Sequence, residues 1–253
     1  MNAVVLGAGG FLGHHVCSEL ASAGHSLVRV GRRARAPGDV EVDLFDPTLD
    51  LGALLAGSEA CIHLACDLVP ATAEQAGWEG VARNVALAYR VADACVEAGV
   101  GTLVFASSGG TVYGAVAEGA KEGDACAPIG LYGALKVAAE GVLHARLAGK
   151  GTRLVVLRVG NPFGPGQEAR RIHGVVGRIF EALIDDAPFT VWGDGRQVRD
   201  YVPVADAARA FRLATEQPSA RGVFNIGSGA GVTMDELIAR CSAIAGRTLR
   251  YSL

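Results

Sequence analysis

The sequence predicts an α/β protein with a doubly wound parallel sheet and a small C-terminal lobe. Short apolar runs rich in β-branched residues alternate with longer helical patterns from Met1 to about Arg158, as expected of repeated βαβ units. The runs are continuously apolar, which is typical of strands covered by helices on both faces. A glycine-rich segment, GAGGFLG, follows the first run directly. Together these features favour an open sheet that binds a ligand at the carboxyl ends of its strands.

The apolar runs and helical patterns define the predicted elements. The strands are Asn2–Leu6, Leu27–Val30, Val40–Val42, Ala60–Leu64, Thr102–Ser107 and Arg153–Val159. The helices are Phe11–Ala23, Trp78–Ala98, Leu131–Leu147, Val175–Asp185, Val204–Glu216 and Met234–Ala245. After Asn161, the turn-forming clusters NPFGPGQ, WGDGRQ and NIGSGAG separate shorter elements. We therefore expect residues 1–164 to form the sheet domain, with 200–220 packing back on it. Residues 165–199 and 221–253 are expected to form the small lobe.

Composition and charge exclude several classes of protein. The chain has 253 residues, of which 50% are hydrophobic and 19% charged, so it can bury a large core. Its net charge of −3 indicates neither a nucleic-acid nor a membrane partner. The opening residues resemble neither a signal peptide nor a membrane span, which predicts a cytoplasmic protein. Six scattered cysteines without a C-x-x-C pair predict reduced thiols and no metal site.

The glycine-rich segment has the spacing of a phosphate-binding loop. Gly7, Gly10 and Gly13 follow a predicted strand, and Phe11 and Leu12 begin a predicted helix. In this context glycines let the backbone approach a pyrophosphate at a helix N-terminus. The alternative is an ordinary strand-to-helix turn. We predict a dinucleotide site here.

The end of the second strand indicates which dinucleotide is bound. An acidic residue there would accept the 2′-hydroxyl of NAD, but the sequence has Arg32 and Arg33. Guanidinium groups can bind a 2′-phosphate bidentately, so the cofactor is NAD or NADP with a preference for NADP. The alternative is that both arginines are solvated surface charges. Asp43 and Leu44, just after the third strand, are placed at the adenine by position alone.

A phenol and an ammonium form the candidate catalytic pair. In YGALK, Tyr132 and Lys136 are four residues apart and lie one turn apart on the same helix face. A neighbouring ammonium and a cationic nicotinamide both favour the phenolate and lower its pKa, so Tyr132 can exchange protons near neutral pH. Upstream, SSGGTVYG places hydroxyl groups and glycines at the carboxyl end of a strand.

Five ordered motifs carry a resemblance to a known family: GAGGFLG, SSGGTVYG, YGALK, RVGNPFGPG and VRDYVPVADAARAF. Together they resemble the extended short-chain dehydrogenase/reductases, specifically nucleotide-sugar epimerases of the UDP-glucose 4-epimerase type. The resemblance implies a Rossmann sheet with a small C-terminal substrate-binding lobe. It also implies Tyr132 as the acid/base, Lys136 as its electrostatic partner and nicotinamide-ribose ligand, and Ser108 as the hydroxyl at the sugar O4.

The resemblance assigns further residues. Ser107 or Thr111 could supply the sugar-binding hydroxyl in place of Ser108. Asn84 matches an asparagine behind the nicotinamide; the alternative is a helix-interior asparagine bonded to backbone. Asn161 and Arg199 match contacts with the substrate diphosphate, with Asp200 fixing Arg199; the alternative is a structural Arg–Asp pair. The remaining residues expected at the cofactor are Leu64, Ala65 and Ser107.

The resemblance also implies an oligomeric state, and it shows one difference between this chain and the family. Related enzymes pair two long helices with their copies, so we expect a homodimer through the helix stripes Ala88, Ala92, Val96 and Ala139, Leu143, Leu147. The alternative is that these faces only cover their own sheet. Family members usually continue past Leu253 and close the substrate lobe, so the lobe is expected to be incomplete in this chain.

Three functions follow from these residues. The first is C4 epimerisation of a nucleotide-linked sugar, without net redox change. The second is NADP-dependent reduction of a nucleotide-linked keto-sugar, which Arg32 and Arg33 favour. The third is dinucleotide sensing without turnover, against which the Tyr132–Lys136 pair argues. Gly109 and Gly110 stand where dehydratases carry carboxylates, which argues against elimination of water.

Overall fold

The computed structural model describes residues 1–34, 36–114, 119–167 and 174–253. Its centre is a seven-stranded sheet in the order β3-β2-β1-β4-β5-β6-β10, in which every pair of neighbours is parallel. The strands of this sheet are β1 (Asn2–Leu6), β2 (Ser26–Gly31), β3 (Val40–Glu41), β4 (Ala60–His63), β5 (Thr102–Ser108), β6 (Arg153–Val159) and β10 (Gly222–Ile226). The predicted doubly wound α/β fold is confirmed.

Helices cover both faces of the sheet. The helices are α1 (Phe11–Ser22), α2 (Leu51–Leu55), α3 (Pro70–Glu97), α4 (Gly130–Leu147), α5 (Val175–Asp185), α6 (Val204–Glu216) and α7 (Met234–Ala245), of which α5 and α7 belong to a separate buried cluster. The α2, α3 and α4 helices share one buried cluster with the sheet, and α1 and α6 share the cluster on the opposite face. The β1, β4, β5 and β6 strands are therefore buried on two sides, which explains their largely apolar sequences.

The α3 helix begins earlier than the predicted Trp78. Pro70 occupies its first turn, where the missing N–H costs nothing, and Thr72 bonds back to the Val69 backbone. A non-helical residue, Gly77, interrupts the helix directly before Trp78. The first turns, PATAEQAG, lack a strong apolar stripe, and the hydrophobic pattern alone therefore did not predict them.

A smaller lobe follows the main sheet. It contains β7 (Asn161–Phe163), β9 (Val198–Pro203) and β11 (Gly231–Thr233) in one small sheet, and β8 (Phe189–Thr190) paired with β12 (Tyr251–Ser252). The α5 and α7 helices pack against each other over their own buried cluster. The expected boundary differs at two elements. β10 pairs with β6 in the main sheet although we placed 221–253 in the lobe, and β7 pairs with β9 in the small sheet although we placed 1–164 in the sheet domain. The rest of the division stays a prediction.

The helix stripes that we expected at a dimer interface are buried within the chain. Ala88, Ala92, Ala139, Leu143 and Leu147 all belong to the cluster that joins α3 and α4 to the sheet. The correction has a simple cause, since each helix needs one apolar face to cover its own sheet and these residues form it. If α3 and α4 contact a second copy of the chain, they must do so through the faces that point away from the sheet. Across the described ranges, no helix combines the length and the apolar character that crossing a membrane requires.

Candidate active site

A cleft of about 450 Å³ opens at the carboxyl edge of the sheet. It lies beside β1 and β4, where the strand order reverses and open α/β sheets bind their ligands. Most of the residues expected at the cofactor line it. The lining residues are Gly7, Gly9, Gly10, Gly31, Arg32, Arg33, Asp43, Leu44, Phe45, Leu64, Ala65, Cys66 and Asp67.

The glycine loop is shaped by close backbone contacts. Gly7 has a φ of +90°, and a Cβ on it would lie 2.8 Å from the Ala65 nitrogen. A Cβ on Gly13 would overlap the Gly7 carbonyl oxygen, so α1 can begin against the loop only with glycine there. Phe11 and Leu12 form the first turn of α1, and its N-cap, Gly10, brings no side chain. The first amide groups of α1 are thus left to face the cleft, as a phosphate requires.

Arg32 and Arg33 lie exposed on the cleft wall. Neither forms an ion pair within the residues that the structure describes. The nearby carboxylate of Glu41 accepts a hydrogen bond of 2.9 Å from the Ala34 nitrogen. Asp43, which also lines the cleft, accepts one of 3.1 Å from the Phe45 nitrogen. Two guanidinium groups are therefore positioned to meet an anion at this rim.

Asn84 lies behind the cleft and is buried. Its amide nitrogen donates to the Gly80 carbonyl at 2.8 Å, which is the backbone contact of the alternative reading, and also to the Asp67 carboxylate. Arg83 pairs with the same carboxylate at 2.6 Å. Asn84 thus fixes the loop after β4, which forms one wall of the cleft. The Asn84 side chain is not part of the cleft lining.

Tyr132 and Lys136 meet on α4 as their spacing predicts. The Lys136 Nζ lies 5.5 Å from the centre of the Tyr132 ring and donates a 2.9 Å hydrogen bond to the Ala106 carbonyl of β5. Tyr132 packs in one cluster with Cys66, which lines the cleft. The start of α4 is held against the SSGGTVYG loop, because a Cβ on Gly133 would lie 2.5 Å from the Thr111 carbonyl oxygen. Neither residue belongs to the lining of the cleft, and the pair lies next to the cleft through Cys66.

Burial changes the protonation of this pair in the free protein. Burial raises the pKa of the Tyr132 phenol, and the neighbouring Lys136 offsets this rise only in part. Burial also works to lower the pKa of the Lys136 ammonium, but Tyr132, Cys66 and Glu140 outweigh it, so this pKa is raised. We expected Lys136 to lower the pKa of Tyr132. Its contribution has that sign, but desolvation is larger, so the phenol is protonated at neutral pH.

The three candidate hydroxyl groups have different surroundings. Ser107 is buried, and its Oγ donates a hydrogen bond to the Glu140 carboxylate. The Ser107 hydroxyl would therefore have to give up its hydrogen bond to Glu140 in order to donate to the cofactor as expected. Ser108 ends β5 and is half-buried. The Thr111 Oγ1 is buried and has no hydrogen-bond partner among the described residues. Ser108 and Thr111 are the hydroxyl groups that remain for a sugar.

The residues expected at the diphosphate lie across the lobe boundary. The Asn161 amide donates to the Asp200 carbonyl at 2.9 Å, which joins β7 to β9. Asp200 does not fix Arg199 as expected. Its carboxylate instead accepts hydrogen bonds from Ser228 and Gly229, while Arg199 contacts the Gln197 side chain at 3.4 Å. The Arg–Asp pair does not form because Arg199 and Asp200 are neighbours on β9, so their side chains point to opposite faces of the strand.

His63 is a core histidine. It is 2% exposed, its ring lies 5.4 Å from the Phe105 ring, and burial lowers its pKa to about 3. Lys136 adds to this lowering, so the imidazole is neutral at physiological pH. Its Nδ1 has no partner in the described part of the chain.

Sequence reasoning missed a buried ionic group beneath the site. Glu140 on α4 and Arg158 on β6 pair at 2.6 Å, and Arg158 donates to the Tyr113 hydroxyl at 2.7 Å. A signal was available, since Arg158 is a charge inside the apolar strand RLVVLRV, and Glu140 follows Lys136 by one helical turn. A charged residue in a buried strand requires a partner.

Comparisons with known proteins agree with this geometry. Over 177 residues the chain is 32% identical to a dTDP-4-dehydro-6-deoxyglucose reductase of Escherichia coli, covering 70% of the chain and 56% of that relative. It is 31% identical to a UDP-glucose 4-epimerase of Mycolicibacterium smegmatis, covering 97% of the chain and 82% of the relative. The solved structure of MoeE5 in complex with UDP-glucose and NAD matches with a TM-score of 0.91 and 31% identity, covering all of this chain and 85% of MoeE5.

The sequence model of the NAD dependent epimerase/dehydratase family matches residues 3–227. This span includes the glycine loop, the Tyr132–Lys136 pair and the β10 strand. The chain therefore belongs to the NAD-dependent epimerase/dehydratase family of enzymes.

Proposed function

We propose that this protein is a nucleoside-diphosphate-sugar epimerase that acts at C4 of a UDP-sugar. The observation that carries the proposal is the position of Tyr132 and Lys136, which lie together at the edge of the glycine-loop cleft. A proton-transfer pair beside a dinucleotide cleft fits reversible oxidation of a hydroxyl group. The similarity to a UDP-glucose 4-epimerase and to MoeE5, which was solved with UDP-glucose and NAD, extends over 97% and 100% of this chain and supports this reaction.

The residues of the cleft fit a nicotinamide dinucleotide. Gly7 and Gly10 leave space for the pyrophosphate, and the bare N-terminus of α1 provides amide donors for it. Asp43 and Leu44 would flank the adenine, and Lys136 would reach the nicotinamide ribose. When bound, the cofactor supplies a reversible hydride acceptor.

The Tyr132 phenol oxygen is the group that exchanges the proton of the sugar 4-hydroxyl. The Lys136 ammonium stabilises the phenolate form, and the Ala106 carbonyl holds that ammonium in place. Ser108 or Thr111 donates a hydrogen bond to the sugar O4, while Asn161 and Arg199 bind the diphosphate. Because the proton and hydride taken from the sugar are both returned to it, the reaction leaves no net redox change.

The reaction is tested by incubating the purified protein with UDP-glucose and a catalytic amount of NAD⁺. We expect UDP-galactose to form, with no accumulation of NADH absorbance at equilibrium. A parallel panel of dTDP-sugars tests the nucleotide. Absence of any C4-inverted product across both panels would reject the epimerase assignment.

A second function is favoured by Arg32 and Arg33. These two arginines fit the 2′-phosphate of NADP, and the E. coli relative is named as a reductase of a dTDP-linked keto-sugar. A reductase consumes one NADPH for each keto-sugar reduced, whereas an epimerase consumes none. Loss of NADPH absorbance that depends on a nucleotide-linked keto-sugar would therefore favour reduction.

The glycine loop can be tested through a single methyl group. Because a Cβ on Gly13 would overlap the Gly7 carbonyl, Gly13→Ala should push α1 away from the loop. We expect dinucleotide binding, measured by calorimetry, to weaken by roughly tenfold or more. Gly151→Ala is the matched control, since nothing lies within 4 Å of its added Cβ. Equal affinity in Gly13→Ala and the unmutated protein would show that the loop does not hold the cofactor.

We further propose a homodimer through the outward faces of α3 and α4. Trp78 is 75% and Tyr89 is 46% exposed on α3, and α4 exposes the small residues Ala138, Gly141 and Ala145. Large aromatic side chains beside small residues suit close packing of helices about a two-fold axis.

Ala138→Arg should separate this dimer without unfolding the monomer, because the added side chain replaces an exposed alanine. Ala205→Arg, on the exposed side of α6 across the sheet, should leave it intact. Light scattering at micromolar concentration checks the mass. A mass near 25.9 kDa for the unmutated protein would refute the dimer.

A further inference from the structure

Three neighbouring strands carry polar residues in register beneath the active site. Ser107 of β5 is paired with Arg158 of β6, and Arg158 is paired with Asn225 of β10. Glu140 and Tyr113 complete the group. The Arg158 network is defined as Ser107, Tyr113, Glu140, Arg158 and Asn225.

Every link of the Arg158 network is a direct hydrogen bond. Arg158 Nε lies 3.1 and 3.2 Å from the two Glu140 carboxylate oxygens, and Arg158 Nη2 lies 2.6 Å from Oε2. Arg158 Nη1 donates to the Tyr113 hydroxyl at 2.7 Å, which donates to the Asn225 Oδ1 at 2.6 Å. The Ser107 hydroxyl donates to Glu140. The cost of removing both charges from water offsets much of the attraction between them, so the ion pair adds little stability. The hydrogen bonds around it instead hold the side chains in one arrangement.

The network is joined to the catalytic helix at two successive turns. Lys136 binds the Ala106 carbonyl, and Glu140, one turn later on α4, binds the Ser107 hydroxyl. Helix α4 therefore holds two consecutive residues at the end of β5. Since Tyr132 and Lys136 belong to the same helix, any shift of Glu140 moves the proton-transfer pair relative to Ser108.

The other end of the network leads toward the small lobe. Asn225 also donates to the Ala120 carbonyl at 2.9 Å, and its backbone nitrogen donates to Glu122 at 2.9 Å. The strand that carries Asn225 continues into residues 227–230, where Asp200 holds Ser228 and Gly229. One chain of contacts thus links the catalytic helix, the SSGGTVYG loop and the lobe that carries Arg199.

We propose that Glu140 and Arg158 are positioning residues that hold Tyr132, Lys136 and the Ser107–Tyr113 loop in the arrangement that proton transfer requires. The inference rests on the proposed function for its kinetic consequence, but the placement of charge beside Lys136 can be tested without a substrate. Both side chains are buried and are bonded to each other, to Ser107 and to Tyr113, so both act through other residues.

The charges around this pair determine what the test should show. Lys136 faces Tyr132 and Glu140 on its own helix, Cys66 after β4 and His63 on β4. Glu140 faces Arg158 from β6, with Ser107 from β5, and Tyr113 contacts Arg158 from the loop. Removing the Glu140 charge makes loss of a proton from the Tyr132–Lys136 pair easier, so the pair should titrate at lower pH.

The first measurement is the ultraviolet titration of Tyr132 in the cofactor-free protein. The chain has five tyrosines, and subtracting the titration of the matching Tyr132→Phe protein isolates this one. We expect Glu140→Gln to lower the apparent pKa by about one unit. Arg153→Met is the matched control. Arg153 is a buried arginine on β6, the strand of Arg158, and its guanidinium binds the carbonyls of Ala214, Thr215 and Ala220. The control variant should lower stability and leave the titration unchanged.

The second measurement is UDP-glucose turnover. Glu140→Gln leaves Arg158 buried without its partner, so it is compared with the double variant Glu140→Gln with Arg158→Met, which removes both charges. We expect the double variant to recover the unfolding temperature while kcat stays at least ~10-fold below the unmutated value, with a smaller change in KM.

The outcomes separate the two proposals. An unchanged titration in Glu140→Gln, or a double variant with unmutated kcat, would show that the network only stabilises the fold and would overturn the inference. If the unmutated protein converts no UDP-sugar, the epimerase proposal fails, and the Tyr132 titration alone decides the role of Glu140.

Discussion

Replacing Tyr132 by phenylalanine is expected to reduce turnover at least ~10²-fold, the usual contribution of a positioned acid/base. The variant removes one oxygen from a half-buried side chain whose ring stays packed against its neighbours, so the fold should be unchanged. The loss should fall on kcat, because the phenol exchanges a proton only as the sugar is oxidised or reduced. Steady-state kinetics with UDP-glucose measure the loss, and circular dichroism checks the fold.

Tyr89→Phe is the matched control for this prediction. Tyr89 lies on α3 and is 46% exposed, away from the residues that line the cleft, so its variant should keep full turnover. Turnover of Tyr132→Phe close to that of the unmutated protein would end the proposed mechanism.

A pH experiment follows from the state of Tyr132. Burial raises the pKa of the phenol in the free protein, so the group stays protonated at neutral pH. The positive charge of oxidised nicotinamide should lower this pKa, whereas the reduced ring, which lacks the charge, should not. Comparing the Tyr132 titration with NAD⁺ and with NADH checks the sign.

Replacing both Arg32 and Arg33 by alanine is expected to remove a preference for NADP over NAD. Both guanidinium groups lie exposed on the cleft wall, and each charge-assisted hydrogen bond to a 2′-phosphate contributes about 1.5–3 kcal/mol. The unmutated protein should therefore bind NADP⁺ at least ~10-fold more tightly than NAD⁺, and the double variant should bind the two equally. Calorimetry with each cofactor gives both affinities.

Arg29→Ala is the control for the cofactor prediction. Arg29 lies on β2, the strand directly before Arg32 and Arg33, but pairs with Asp39 at 3.3 Å, so its loss should leave the ratio of affinities unchanged. Tighter binding of NAD⁺ than of NADP⁺ to the unmutated protein would contradict the prediction and would favour the epimerase over the reductase.

Much of the fold could be predicted because its signals are local. An apolar run such as residues 154–157 is stable in a strand only when both faces are covered, and the structure has the strand that contains it, Arg153–Val159, with the predicted bounds. The α5, α6 and α7 helices also have the predicted bounds. The edge strand β10 was missed, since GVFNI is short and lies between turn-forming clusters that suggested the lobe.

The candidate site was predictable only where spacing determines contact. Residues four apart on a helix share a face, so Tyr132 and Lys136 had to meet. The glycine loop likewise shapes its cleft through contacts within a few residues. The predicted partner of Asp200 was wrong. Whether Asp200 bonds to Arg199 or to residues 228–229 depends on how closely segments far apart in the chain are packed, which the sequence does not show.

The sequence by itself determined the fold class, the shape of the glycine loop and the meeting of Tyr132 with Lys136, since each depends on periodicity or on residues close in the chain. Only the tertiary structure decided which face of α3 and α4 covers the sheet, because periodicity reveals a stripe but not its neighbour. It also decided the raised pKa of Tyr132 and the Arg158 network. Desolvation, the Glu140–Arg158 ion pair and the polar contacts across three strands arise only when segments far apart in the chain are packed together.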